Sequence, residues 1–127
     1  MKLIVDSSIF IDHLRGGTIG IQLLNRAREE DEELFIPTIV IYELFSGKSS
    51  KDPTIKKIID NYIHDFKRID LTEEIALRAG ELYRDIGKHI GAQDYIIAAS
   101  ALKIGARVVT LNKKHFEQIP GLSLYSF

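Results

Sequence analysis

Cysteine and tryptophan are absent from the 127 residues, methionine occurs once and proline three times. Without cysteine there is no disulfide, no thiolate nucleophile and no sulfur-based zinc site. No Gly/Ser/Pro-rich linker or repeat divides the chain, so a single domain over residues 1–127 is expected. No apolar run approaches the roughly 18 residues that span a bilayer, so no membrane contact is expected. The apolar start MKLIV meets Asp6 too early for a signal-peptide core, and the expected compartment is the cytoplasm. An excess of one charge is also missing, since 17 Lys and Arg stand against 18 Asp and Glu. Proteins that depend on neutralising phosphates usually carry a more basic balance. Any nucleic-acid contact must therefore come from local patches or from metal ions.

What is present is an alternation of short apolar runs with helical patterns. Leu3-Ile4-Val5 and Leu34-Phe35-Ile36 read as strands buried on both faces, the second stopped by Pro37. Ser7 and Ser8 are placed to cap a helix that Gly16-Gly17 ends, and Thr18 opens a second helical pattern running into the acids Glu29 to Glu33. Thr38 to Phe45 is apolar and helical, and Tyr42 and Phe45 are expected in the core. Asp52-Pro53 starts a helix with Ile55, Ile58, Ile59, Tyr62, Ile63 and Phe66 on one stripe. Phe66 to Leu71 has room for a short strand. Thr72 caps a helix whose apolar face is Ile75, Ala79, Leu82, Tyr83 and Ile86. Asp94 leads the Ala-rich helix YIIAASAL, which Gly105 ends, and strands are expected at Arg107–Thr110 and Leu122–Tyr125. The pattern predicts a three-layer α/β/α fold around a central parallel sheet.

In open parallel sheets ligands bind beyond the carboxyl ends of the strands. Asp6 ends the first strand there and Thr110-Leu111-Asn112 the fourth. Glu43 and Asp94 lie in apolar surroundings, where a lone carboxylate costs several kcal/mol unless it is paired, ligated or protonated. Each position alone has a plain reading. Asp6, Asp94 and Asn112 are good helix caps or first-turn residues, and Glu43 suits the exposed point of an amphipathic turn. Together they fall on one edge of the sheet. Three carboxylates brought close repel, and a proton or a cation must relieve them. An all-oxygen donor set selects a hard ion, Mg²⁺ or Mn²⁺, which activates water toward phosphodiesters.

The segments MKLIVDSSIFID, PTIVIYELFSG, AQDYIIAASAL and VVTLNKKHFEQIPGL resemble, in this order, a PIN-domain ribonuclease of the VapC toxin type. The resemblance implies a PIN-like α/β fold and an endoribonuclease that hydrolyses RNA with metal-activated water, leaving a 5′-phosphate. It places Asp6, Glu43 and Asp94 as metal ligands, with Asn112 assisting and the hydroxyls of Ser7 and Thr110 beside them. It implies a cognate antitoxin and a homodimer. Asn112 stands where many relatives carry a fourth acid, so a second metal site is not implied. Asp12 falls on a commonly acidic position and is not assigned to the metal.

The four histidines show no paired metal-ligand spacing. His115 lies near the proposed site with Lys113 and Lys114, and these three are the candidate RNA contacts. Lys48, Lys51, Lys56 and Lys57 read mainly as a solvated face. Two rival readings remain at this point. A receiver-like phospho-acceptor requires an adjacent acidic pair at Asp6 and a lysine after the last strand, and the chain has neither. A non-catalytic PIN-like binding module has no need of three intact acids.

Overall fold

The run Leu3-Ile4-Val5 lies in β1 (Lys2–Val5), where all three side chains are fully buried. A strand apolar on both faces needs a cover on both, and burying each such side chain contributes about 1.5–3 kcal/mol. The computed structural model describes residues 1–126; Phe127, the last residue of the expected domain, lies outside them. Around β1 the chain forms a sheet of four parallel strands in the order β3-β2-β1-β4, with β2 (Glu33–Pro37), β3 (Lys67–Ile69) and β4 (Arg107–Val109). Helices connect the strands and complete the expected three layers.

Most helices begin and end where local chemistry dictates. Asp52 caps α4 (Pro53–Ile63) by accepting from Thr54 N at 2.9 Å, with Pro53 at the first helical position. Thr72 caps α5 (Glu73–Ile86) by accepting from Ile75 N. The buried helix α6 (Ala92–Ile104) ends at Gly105, whose φ of 68° suits a residue without Cβ. It packs against β1, β4, α5 and α3 (Thr38–Ser46). A short α7 (Lys113–Phe116) follows β4, and among the described residues no helix is long and apolar enough to cross a membrane.

Four expectations are corrected. Neither Ser7 nor Ser8 caps α1 (Ser7–Leu14), because the cap position belongs to Asp6. The second helix, α2 (Ile19–Glu29), reaches only the first residue of the acidic stretch, after which Asp31 turns to a φ of 58° and Glu33 enters β2. Tyr42 is 61% exposed rather than in the core, since α3 turns Val40 and Leu44 inward instead. The expected last strand at 122–125 reduces to one parallel bridge between Leu124 and Val108. That segment is nevertheless held. Arg107 donates to Glu32 Oε1 at 2.9 Å and stacks over the Tyr125 ring, whose hydroxyl donates to Glu30 Oε2 at 3.0 Å.

Thr18 makes no capping bond to α2 with its side chain. Asp12 of α1 supplies one from outside the helix, its Oδ2 accepting from Gly20 N at 3.1 Å. The two helices approach so closely there that a Cβ on Gly20 would stand 2.6 Å from the Ile9 carbonyl oxygen. Backbone cannot yield as a side-chain tip can. Gly20→Ala is therefore expected to lower stability by about 1–3 kcal/mol. Gly80→Ala, within α5 and with nothing within 4 Å of the added methyl, is expected to leave it equal or raise it by up to about 1 kcal/mol. Urea unfolding of the two variants beside the parent checks both.

Candidate active site

Asp6 follows the last residue of β1 and opens α1, so the carboxyl end of the central strand carries it into the sheet edge. Its amide donates to Val109 O at 3.0 Å, tying it to the end of β4. The carboxylate is 1% exposed, and a charge in that position needs donors. Two hydroxyls meet the same oxygen: Ser8 donates to Asp6 Oδ2 at 2.8 Å and Thr110 donates to it at 2.7 Å. Leu111 N in turn donates to Ser8 Oγ at 3.0 Å, and Asn112 N to Thr110 Oγ1 at 2.9 Å. Burial pushes the Asp6 carboxyl above its ordinary range, and the Asp94 charge pushes the same way, while the two hydroxyls oppose them.

Glu43 comes to the same place on α3, which packs against α1 and α6. Burial, and then repulsion from Asp6 and Asp94, raises its carboxyl from the ordinary 4.5 to about 7, against a hydrogen bond from the Ser7 hydroxyl. Its Oε1 is buried without a hydrogen-bond partner. Asp94 sits in the first turn of α6, and its Oδ2 meets His115 Nδ1 at 2.8 Å. All three acids line one open cavity of about 660 Å³, together with Ser7, Ser8, Asp12, Arg15, Asn112 and His115. Among the described residues no three acid or histidine side chains close into a ready-made metal cage; the carboxylates face a shared space instead. That space, the carboxylate oxygens of the three acids and the orphaned Glu43 oxygen fit a hard divalent cation.

Comparison with known proteins decides the family. The PIN domain pattern matches residues 3–122. Ribonuclease VapC19 of Mycobacterium tuberculosis is 33% identical over 126 residues, which are 96% of this chain and 97% of that protein. The chain belongs to the PIN-domain family, in its VapC group. Among solved structures, DNA-bound VapBC from Salmonella typhimurium superposes with a TM-score of 0.83 at 25% identity, covering 98% of this chain and 97% of that one. A toxin–antitoxin complex from Klebsiella pneumoniae has the same fold, with a TM-score of 0.74 at 24% identity over 98% and 99% of the two chains. The family leaves no place for the receiver-like alternative.

Within this PIN domain the sequence-derived residues divide. Asp6, Glu43, Asp94 and Asn112 line the cavity, Ser7 is against Glu43, and Thr110 is buried against Asp6. Asn112 holds the cap position of α7 but makes no capping bond with its side chain, so its amide is not committed there. Lys113 and Lys114 are exposed on α7 and do not line the cavity; of the three RNA-contact candidates only His115 does, and it faces Asp94. Ser8 and Arg15 were missed as site residues, and Asp12 was noted without a role there. Ser8 was read as a possible cap, yet it is the second hydroxyl on Asp6. Asp12 and Arg15 lie one and two helical turns beyond Ser8 on α1 or at its end, so the 3.6-residue period was the available signal.

The raised Glu43 carboxyl has a consequence for stability. Between pH about 4.5 and about 7 the folded chain keeps a proton there that the unfolded chain has lost. Stability from this group is complete at the acidic end and falls as pH rises through about 7. Glu43→Gln in EDTA is expected to flatten that decline and to be more stable than the parent at about pH 8. Thermal unfolding across this pH range checks the sign.

Proposed function

We propose that this PIN domain is a Mg²⁺- or Mn²⁺-dependent endoribonuclease, the toxin of a toxin–antitoxin pair, acting on RNA in the cytoplasm as a homodimer restrained by a cognate antitoxin. The observation that carries this reading is the meeting of Asp6, Glu43 and Asp94, from three distant segments, in one cavity where they repel one another. The naming of a full-length relative as a ribonuclease, and of a neighbour in fold as a toxin–antitoxin complex, supports it. The three carboxylates would hold the cation, and Asn112 would add a carbonyl oxygen without charge. A bound hard cation supplies Lewis acidity toward phosphate oxygens and water.

The chain's own part is orientation and exclusion. Ser8 and Thr110 fix Asp6 by one oxygen and leave Oδ1 without a side-chain partner of its own. Ser7 steadies Glu43, and burial of Asp6 keeps bulk water from screening the site. Lys113 and Lys114 extend from α7 beside Asn112, where RNA phosphates would pass. The open cavity admits a polymer rather than enclosing a small molecule.

Asp6→Asn, Glu43→Gln and Asp94→Asn are each expected to lose most RNA cleavage while remaining folded, with stability equal or higher because the remaining charges are less crowded. Cleavage by the parent is expected to need Mg²⁺ or Mn²⁺ and to stop in EDTA, and Ca²⁺ is expected to support it poorly. Gel assays on a mixed RNA substrate with circular dichroism of each variant decide this. Full cleavage in EDTA, or by any of the three variants, overturns the assignment of the group concerned, and a folded parent inert on RNA favours the binding-module alternative.

Asn112→Asp adds a further negative charge to the cavity wall. It is expected to tighten Mn²⁺ binding by about tenfold, equivalent to about 1.4 kcal/mol. If Asn112 served only as a helix cap, aspartate would cap equally well and the isotherms would coincide. Titration of Mn²⁺ into both forms at one pH reads the difference.

A further inference from the structure

The three carboxylates are not held alike. Asp6 is gripped by two hydroxyls and by the backbone of the sheet edge. Glu43 has the Ser7 hydroxyl. Asp94 stands in the first turn of α6 with a side chain 15% exposed, and among the described residues its one side-chain hydrogen bond is to His115. A carboxylate on two free torsions presents its oxygens in several directions, and a metal ligand works when one of them is selected beforehand. The group that makes the selection at Asp94 is an imidazole.

The imidazole is itself well placed for the task. His115 lies on α7 beside Phe116, which is fully buried and anchors that short helix to the core. Three residues further, Ile119 is buried as well. Gln118 contacts His89, in the turn that leads into α6, and also donates to Lys114 O at 2.9 Å. The start of α6 and the α7 segment are therefore joined twice, once through His89 and Gln118 and once through Asp94 and His115. With Asp94 as acceptor, Nδ1 carries the hydrogen and donates to Oδ2, while Oδ1 has no side-chain partner among the described residues.

We infer that His115 is the positioning residue for Asp94, acting through Nδ1 to hold the carboxylate toward the cavity, and not primarily an RNA contact. The inference rests on the reading of Asp94 as a cation ligand. The ring is 43% exposed, so Nε2 remains open to solvent and takes no part in the hold.

Three substitutions separate the two nitrogens. An asparagine amide N–H falls near the position of Nδ1, whereas a glutamine amide reaches that of Nε2. Mn²⁺ affinity is measured by calorimetry on the RNA-free protein, and KM and kcat are measured separately with RNA. His115→Ala is expected to weaken Mn²⁺ binding by about tenfold or more, the usual consequence of removing a residue that orients a ligand. Asn at 115 is expected to restore most of the affinity and Gln little of it, with KM for RNA nearly constant across the set. Unchanged Mn²⁺ isotherms in all three variants overturn the inference, as does rescue by Gln equal to that by Asn, or a rise in KM alone. A parent that binds Mn²⁺ but cleaves no RNA defeats the nuclease reading and leaves the isotherms to judge His115. A parent that binds no Mn²⁺ removes Asp94 as a ligand, and the inference falls with it.

Discussion

Carboxylates that repel one another at the buried end of a parallel sheet are the constraint to which the rest of this structure answers. Asp6 follows a strand whose three apolar residues have no solvent on either face, so its charge cannot retreat to water. Asp94 and Glu43 add like charge from α6 and α3. Such an arrangement opposes folding at neutral pH unless a proton or a bound cation relieves it. The stabilising terms must come from elsewhere, chiefly from the covered strands and from the Ala-rich α6 that lies close on β1 and β4.

The supports around the acids follow a common scheme, in which short polar side chains on rigid element ends supply single hydrogen bonds. Ser8 and Thr110 belong to α1 and to the end of β4, and their hydroxyls also accept from the backbone of the 111–112 turn. That turn is thereby fixed to the helix that starts at the first strand. Asp12 does related work one turn along α1, accepting from the first turn of α2 and holding the two helices at a separation that only glycine at position 20 permits. Asp12 thus both lines the cavity and ties α1 to α2.

At the opposite end of the sheet the polar contacts have a different character. Glu32 meets both the amino terminus and Arg107, and Arg107 covers Tyr125. These opposite charges neutralise one another and secure the final segment, which has a single strand-like bridge to the sheet. One end of the sheet balances its charges internally, and the other leaves like charges facing a shared space. The contrast separates a structural cluster from a site better than the number of acids does.

Much of the fold was legible along the chain because its signals are local. The apolar runs of β1 and β2, the Asp52-Pro53 and Thr72 caps and the Gly105 stop each depend on residues within a turn or two, and each appears where the pattern places it. The three acids stood out for a local reason too, being charges in apolar surroundings. The resemblance named the Ser7 and Thr110 hydroxyls beside them, but not that Ser8 shares Asp6 with Thr110 or that His115 meets Asp94. Ser8 and Thr110 are 102 positions apart, Asp94 and His115 are 21 apart, and their meeting depends on the parallel register of β1 with β4 and on the packing of α7 against α6. Tyr42 went outward because the packing of α3 against α1 and α6 chose which stripe of a nearly all-apolar helix to bury, a choice no periodicity within that helix contained. Local propensity determined the elements and marked the charges, while hydrogen bonds across distant segments, which exist only once the sheet has closed, decided how those charges are held.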